Sequence, residues 1–280
     1  MALKHILGLD HVVVAVRNLD AAAAAWKALG FTLSPRGTHS AHLGSGNYTV
    51  MFGDDYIELL GILNETDHNQ PTVAFLKERE GVERTAFTTD DAAAGVAELK
   101  ARGLAGGGPI SFSRPVDLPN GGKGEAAFNV FTWPLDEAPA GLRIFACQHL
   151  TRDTVWIPEL QHHANGAQRL VRVEVIAAAP KDAAAQLSRL IDQPVEAAGN
   201  SFRVASGGSR AVFAFYDAAT FAQRYPDAVR NGAVKDGAAA IVIASDDLAK
   251  VRALPGAVAH DDAVSLPAAS ATGVILSFVK

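Results

Sequence analysis

The sequence predicts an α+β protein built of four βαβββ modules, and three observations carry that prediction. A valine-rich strand followed by an alanine-rich helix opens the chain. Three short apolar runs, separated by turn residues, come after it. A strand-then-helix opening returns three more times, about 65–90 residues apart, a longer period than that of solenoid repeats.

The first module begins with DHVVVAV, whose β-branched residues fit a strand. Asp20 precedes AAAAAWKALG, a run of helix formers that Gly30 stops. FTLSP, NYTVMFG and DYIELLGI are its three further strands. The second module, VERTAFTTDDAAAGVAELKARGL (residues 82–104), again gives strand, acidic cap, helix and glycine stop, followed by PISFSRPV, EAAFNVFTW and LRIFACQHL. The third opens with RLVRVEVIAAAPKDAAAQLSRLI (residues 169–191) and continues through SFRVAS and RAVFAFYD. The fourth opens with GAAAIVIASDDLAKVRAL (residues 237–254), and AVSL and GVILSFVK close it. A module of this size cannot bury its sheet alone, so the modules pair. Residues 1–167 are expected to form one domain, with modules at about 7–65 and 82–150, and residues 168–280 a second, degenerate pair.

The chain has 280 residues, 49% hydrophobic and 20% charged, which gives ample material for a core and is ordinary for a globular protein. A net charge of -5 leaves no basic excess to neutralise phosphates, which argues against a nucleic-acid partner. The one cysteine, Cys147, excludes an intrachain disulfide. MALKHILGLDH has no long apolar run and no small-residue cleavage site. AAAIVIA (residues 238–244) is far too short to span a bilayer. The expectation is a cytoplasmic protein without a membrane partner. GGGP (residues 106–109) and NGGKG (residues 120–124) are glycine-rich turns without Walker A spacing, so no nucleotide cofactor is expected.

Four units of this type, with LDHVVVAV…D and YIEL in the first, resemble the vicinal oxygen chelate superfamily, the glyoxalase, bleomycin resistance and extradiol dioxygenase fold. The first two units are similar to its longer glyoxalase-like branch. The resemblance rests on residues 7–61 and 82–104, extends to about residue 167 and is topological beyond it. It implies paired modules forming a curved mixed sheet around a cleft. It also implies a divalent metal there, Zn, Mn, Ni or Fe, with one ligand from the first and one from the last strand of each module. The metal would stabilise an enediolate as a Lewis acid or activate oxygen at iron. His11 stands at the first-strand ligand position and Glu58 at the last-strand position. His11 is then expected to face the cleft with Val13 and Ala15, while Val12, Val14 and Val16 face the helix.

The second module departs from this pattern. ERTAFTTDD places Arg84 where the family has a histidine, and GLRIFACQ places Phe145 where it has a glutamate. A permanently charged guanidinium repels a divalent cation, so the complete glyoxalase I ligand set is absent. Three readings stay open. In one, His11 and Glu58 hold a metal with a third ligand from His39, His42 or His149. In another there is no metal, Arg84 pairs with Glu58 or grips a substrate carboxylate, and His11 is an acid or base. In the third the cleft only binds a small molecule, as drug-sequestering relatives do.

The bland readings are as specific. A carboxylate in an apolar strand needs a partner, and Arg84 alone would satisfy Glu58. His39 and His42 fit a surface loop, and His162 and His163 a linker. Cys147 reads as a small buried hydrophobe. Trp133, Trp156 and Phe128 read as core, or as the floor of an apolar pocket. Val173 and Ala240 stand at the first-strand positions of the third and fourth units and bind no metal. The first choice is a glyoxalase-like enzyme of lyase or isomerase type that transfers a proton on a small oxo or hydroxy acid, with His11, Glu58 and Arg84 as its machinery and His11 and Glu58 as metal ligands. A metal-free binding or drug-resistance protein is the alternative. An extradiol dioxygenase needs two histidines and a carboxylate, and only one histidine is in place. A homodimer stays open, although the covalent second half can replace a partner chain.

Overall fold

The computed structural model describes residues 3–118 and 121–280, so Asn120 of the NGGKG turn lies outside the described residues. The first module is β1 (Gly8–Val16), α1 (Leu19–Ala28), β2 (Gly37–Thr38), β3 (Ser45–Met51) and β4 (Tyr56–Ile62). A helix the sequence did not announce, α2 (Gln70–Glu78), leads into the second. That module is β5 (Gly81–Thr88), α3 (Ala92–Ala101), β6 (Gly107–Asp117), β7 (Lys123–Thr132) and β8 (Arg143–His149). The third is β9 (Ala167–Ile176), α4 (Pro180–Ile191), β10 (Val195–Ala198), β11 (Ser201–Ala205) and β12 (Val212–Tyr216). Two short helices follow, α5 (Ala218–Arg224) and α6 (Asp227–Arg230). The fourth is β13 (Gly237–Ser245), α7 (Leu248–Arg252), β14 (Val258–His260), β15 (Ala263–Leu266) and β16 (Ile275–Val279). All four modules are therefore complete, because β10 and β14 supply strands that the sequence pattern alone does not mark.

Two eight-stranded mixed sheets result, ordered β2-β3-β4-β1-β5-β8-β7-β6 and β10-β11-β12-β9-β13-β16-β15-β14. Within a module the first and last strands run parallel, and β1 meets β5 antiparallel. His11 pairs with Ala86 and Val13 with Arg84, so a local two-fold axis relates His11 to Arg84. The sheet curls until its edge strands β2 and β6 approach one another.

Helix starts follow capping chemistry. Asp91 and Asp247 accept backbone N–H bonds at the starts of α3 and α7. In α1 the cap is Asn18, and Asp20 lies in the first turn, where it complements the helix dipole. In α4, Pro180 begins the helix and Asp182 sits inside it.

One face of each sheet carries the shared core. Val12, Val14 and Val16 pack with Trp26 in one cluster that also contains Val173, Phe213 and Ile241 of the second sheet. Burying a side chain of this size stabilises by about 1.5–3 kcal/mol. Polar bonds pin the same seam: Leu9 N–H donates to Ser206 Oγ at 2.9 Å and Leu170 N–H to Asp55 Oδ1 at 3.1 Å.

The inner face of the second sheet is filled by side chains. Phe221, Tyr225 and Val229, from the α5–α6 segment, pack on its inner face against Ala214, Ala240 and Ile275. Beneath them Glu174 is fully buried, with Arg172 Nε at 2.6 Å, Arg224 Nε at 3.0 Å and the Tyr225 hydroxyl at 2.9 Å. The expected alignment of Val173 with His11 is off by one residue. Register shifts between Leu9 and His11 and between Val13 and Val14 recur in the β9–β13 pairing. Matching them puts Arg172 at the His11 position and sends Val173 into the core. Ala240 does stand at the position of Arg84.

Candidate active site

A cleft of about 230 Å³ opens on the inner face of the first sheet and, among the described residues, is lined by residues between 11 and 155. Strand alternation puts His11 of β1, Tyr56, Glu58 and Leu60 of β4, Arg84 of β5, and Arg143, Phe145 and Cys147 of β8 on this face. The second half neither lines nor covers it. Val12, Val14 and Val16 point the other way, into the core.

His11 is buried and held by a carboxylate. Its Nδ1 lies 2.7 Å from Asp10 Oδ1. The register shift between Leu9 and His11 leaves Asp10 unpaired in the ladder, and a bulge of this kind re-aims a side chain. Asp10 is completely buried and gathers three hydrogen donors: His11, His149 Nε2 at 3.0 Å from Oδ1, and the Thr88 hydroxyl at 2.8 Å from Oδ2. Burial opposes its ionisation, but the two imidazoles outweigh it and hold the carboxyl well below the usual carboxylate range. An ionised carboxylate can only accept, so Nδ1 of His11 carries the proton and Nε2 faces the cleft.

Glu58 Oε2 is 3.7 Å from His11 Nε2, too far for a hydrogen bond. Asn47 Nδ2 donates to Oε1 of Glu58 at 2.7 Å. Burial works against the charge of Glu58, but His11, His39, Asn47 and Arg84 together bring its pKa below the ordinary value. An ionised oxygen and an imidazole nitrogen therefore face the same space.

Arg84 lines the cleft but does not pair with Glu58. Its guanidinium is shared between Glu83, at 3.3 Å, and the Thr72 hydroxyl, at 3.4 Å. Its ladder partner Arg143 also contacts Glu83 and Thr72. Arg114 of β6 adds a third guanidinium to the wall. Three arginines against Glu58 and the Glu83 carboxylate give the cleft a positive bias. The opposite wall, with Ile110, Phe112, Phe128, Val130 and Trp133, is apolar.

The other expected residues are distributed as follows. His39 lines the cleft, bonds Ser45 Oγ through Nδ1 at 2.8 Å, and is kept neutral by burial, which pushes its pKa down to about 4. His42 lies against His68, with ring centres 5.3 Å apart. His149 joins Asp10 rather than Glu58. His162 is exposed, whereas His163 is a clamp between Met51 O, at 2.9 Å, and Thr32 N, at 3.1 Å. Trp133 and Phe128 line the cleft, and Trp156 packs edge-on to His149, centres 4.7 Å apart. Sequence reasoning does not reach Asp10, Asn47, Arg114 or Arg143. Of these only Asp10 leaves a sequence signal, a second polar residue beside His11 in an apolar strand.

The residues at the family's metal positions do not fit its chelated ion. Val13 pairs with Glu58, and two residues earlier stands His11; Ala86 pairs with Phe145, and two residues earlier stands Arg84. The four positions thus hold His, Glu, Arg and Phe. Among the described residues no third His, Cys, Asp or Glu brings a ligand atom within 4.8 Å of both His11 and Glu58.

Comparison with known proteins bears on the fold. A family model described as glyoxalase-like domain matches residues 9–191. No curated protein matches the sequence. A hypothetical protein from Staphylococcus aureus superposes with a TM-score of 0.71 at 13% identity, over 96% of this chain and 98% of that one. A mutant 4-hydroxymandelate synthase from Streptomyces coelicolor gives a TM-score of 0.59 at 12% identity, over 98% of this chain and 92% of the other. A methylmalonyl-CoA epimerase from Mycobacterium tuberculosis matches 54% of this chain and 94% of its own length, with 18% identity and a TM-score of 0.41.

Proposed function

The chain belongs to the glyoxalase-like domain family of the vicinal oxygen chelate superfamily, and from that premise we propose that it is an enzyme of lyase or isomerase type acting on a small oxo or hydroxy acid. The observation that carries the proposal is the fixed imidazole. Asp10 holds Nδ1–H of His11, and Nε2 faces a cleft 3.7 Å from Glu58 Oε2. Two acceptors aimed at one space favour a ligand that brings hydrogen there, such as a hydroxyl or an acidic C–H.

In this reading His11 Nε2 takes the proton from the carbon beside the substrate carbonyl, and Asp10 stabilises the imidazolium that forms. The proton on His11 exchanges with solvent before a proton returns to carbon to give product. Glu58 accepts the substrate hydroxyl, with Asn47 fixing its other oxygen. Arg84, with Arg143 beside it, grips the carboxylate and meets the negative charge that develops on oxygen. The apolar wall takes the rest of the molecule. Residues 168–280 brace the first sheet and carry no chemistry.

The test is proton exchange. A panel of oxo and hydroxy acids is incubated with the protein in deuterated water, and loss of the α-proton signal is followed by NMR. The wild type is expected to exchange at least one acid, and His11→Ala to lose that exchange while keeping the fold. Tight binding without exchange across the panel would instead favour a binding protein.

A further inference from the structure

Beside His11 lies a donor set of which the proposed reaction uses only Asp10. Asp10, Cys147 and His149 each offer one ligand atom, and the three atoms lie within 4.8 Å of one another. Asp10 Oδ1 and His149 Nε2 are 3.0 Å apart. β8 presents Cys147 and His149 two residues apart on one face, and the Asp10 bulge brings the carboxylate to them.

One feature marks the set as open to a ligand. The His149 side chain is 4% exposed, and its Nδ1 is buried with no hydrogen-bond partner. Cys147 is a free, buried cysteine. An unpaired buried polar atom costs about 1–3 kcal/mol, which a bound ion would relieve. A carboxylate, an imidazole and a thiol form a borderline-soft set of three, which suits zinc with a fourth position open. Cys147 lines the cleft that His11 and Glu58 also line.

We propose that Asp10, Cys147 and His149 form a zinc site, displaced from the metal position of the family and opening on the same cleft. Binding replaces the Cys147 S–H bond with a sulfur–zinc bond and releases that one proton to solvent. His149 keeps its single proton on Nε2, toward Asp10, and offers Nδ1 to the ion. His11 and the ion would share the Asp10 carboxylate, while the metal readout does not depend on proton transfer.

Cobalt(II) is the probe, because a thiolate ligand gives a near-ultraviolet charge-transfer band. Metal-stripped full-length protein is titrated with cobalt, and zinc content is measured after equilibration and desalting. The expected result is one ion per chain, a thiolate band in the wild type, its loss in Cys147→Ser, at least tenfold weaker binding in His149→Gln, and an unchanged band in Glu58→Gln. No stoichiometric binding by the wild type overturns the proposal, whatever the variants do. So does binding without a thiolate band, or binding lost in Glu58→Gln, which would put the ion on His11 and Glu58.

Discussion

Asp55 sits at the seam of the two sheets, and its replacement by asparagine gives a prediction with a definite sign. The side chain is buried, and Oδ1 accepts the Leu170 N–H at 3.1 Å. Burial pushes the carboxyl up to about 7, against the pull of the Leu170 N–H, Arg210 and Arg169 and with help from Asp54. A raised native pKa means stability that is fully present below the unfolded value, about 3.9, and lost as pH rises through the native one. The gap of about three pH units, at ~1.36 kcal/mol each, sets a ceiling of about 4 kcal/mol lost in alkaline solution. At about pH 5 only ~1.5 kcal/mol of that is lost. An asparagine side chain would keep the acceptor for Leu170 and carry no charge. Asp55→Asn should therefore gain about 2–3 kcal/mol relative to wild type between about pH 5 and about pH 8.5. Urea denaturation followed by far-ultraviolet circular dichroism at both pH values measures this. An equal difference at the two pH values, or a variant less stable than wild type at the higher one, refutes the reasoning.

Asp10→Ala strands the donors of His11, His149 and Thr88 and should cost about 3–5 kcal/mol in denaturation, whereas Asp10→Asn, which keeps the shape, should cost clearly less. Arg84→Leu should raise KM for an exchanged acid roughly 10–100-fold, as expected for a charge-assisted bond worth about 1.5–3 kcal/mol, with a smaller effect on kcat. Glu174→Ala leaves Arg172 and Arg224 unpaired under the α5–α6 segment; about 3–5 kcal/mol of stability should be lost, and limited proteolysis should cut first within residues 217–236. Gly95→Ala puts a Cβ 2.5 Å from Cε1 of the fully buried Phe131, so the melting temperature should fall by an amount equivalent to about 1–3 kcal/mol.

Periodicity makes the modules legible. The alternation of Val12, Val14 and Val16 with His11 and Val13 marks the two faces of β1 in the sequence itself, and the glycine stops mark the helix ends. The short strands β10 and β14 escape because edge strands of three or four half-exposed residues lack a clear alternation. The α5–α6 plug escapes because helices of seven and four residues carry little periodicity. At the site, His11, Glu58 and Arg84 do share one cleft. Their partners are not legible in the sequence: Asp10 acts through a bulge, Arg143 through ladder register, and Arg114 through closure of the sheet edges, all properties of pairing between distant strands.

Asp10 fixes His11 with Nε2 bare and facing the cleft, and the imidazole tautomer tests this directly. A long-range proton–nitrogen correlation spectrum of the ¹⁵N-histidine protein, assigned by the spectrum of His11→Ala, reads the tautomer directly. Neutral His11 is expected to carry its proton on Nδ1, and Asp10→Ala to shift it toward the Nε2–H form. A His11 ring already protonated at Nε2 and bare at Nδ1 in the wild type would contradict the account.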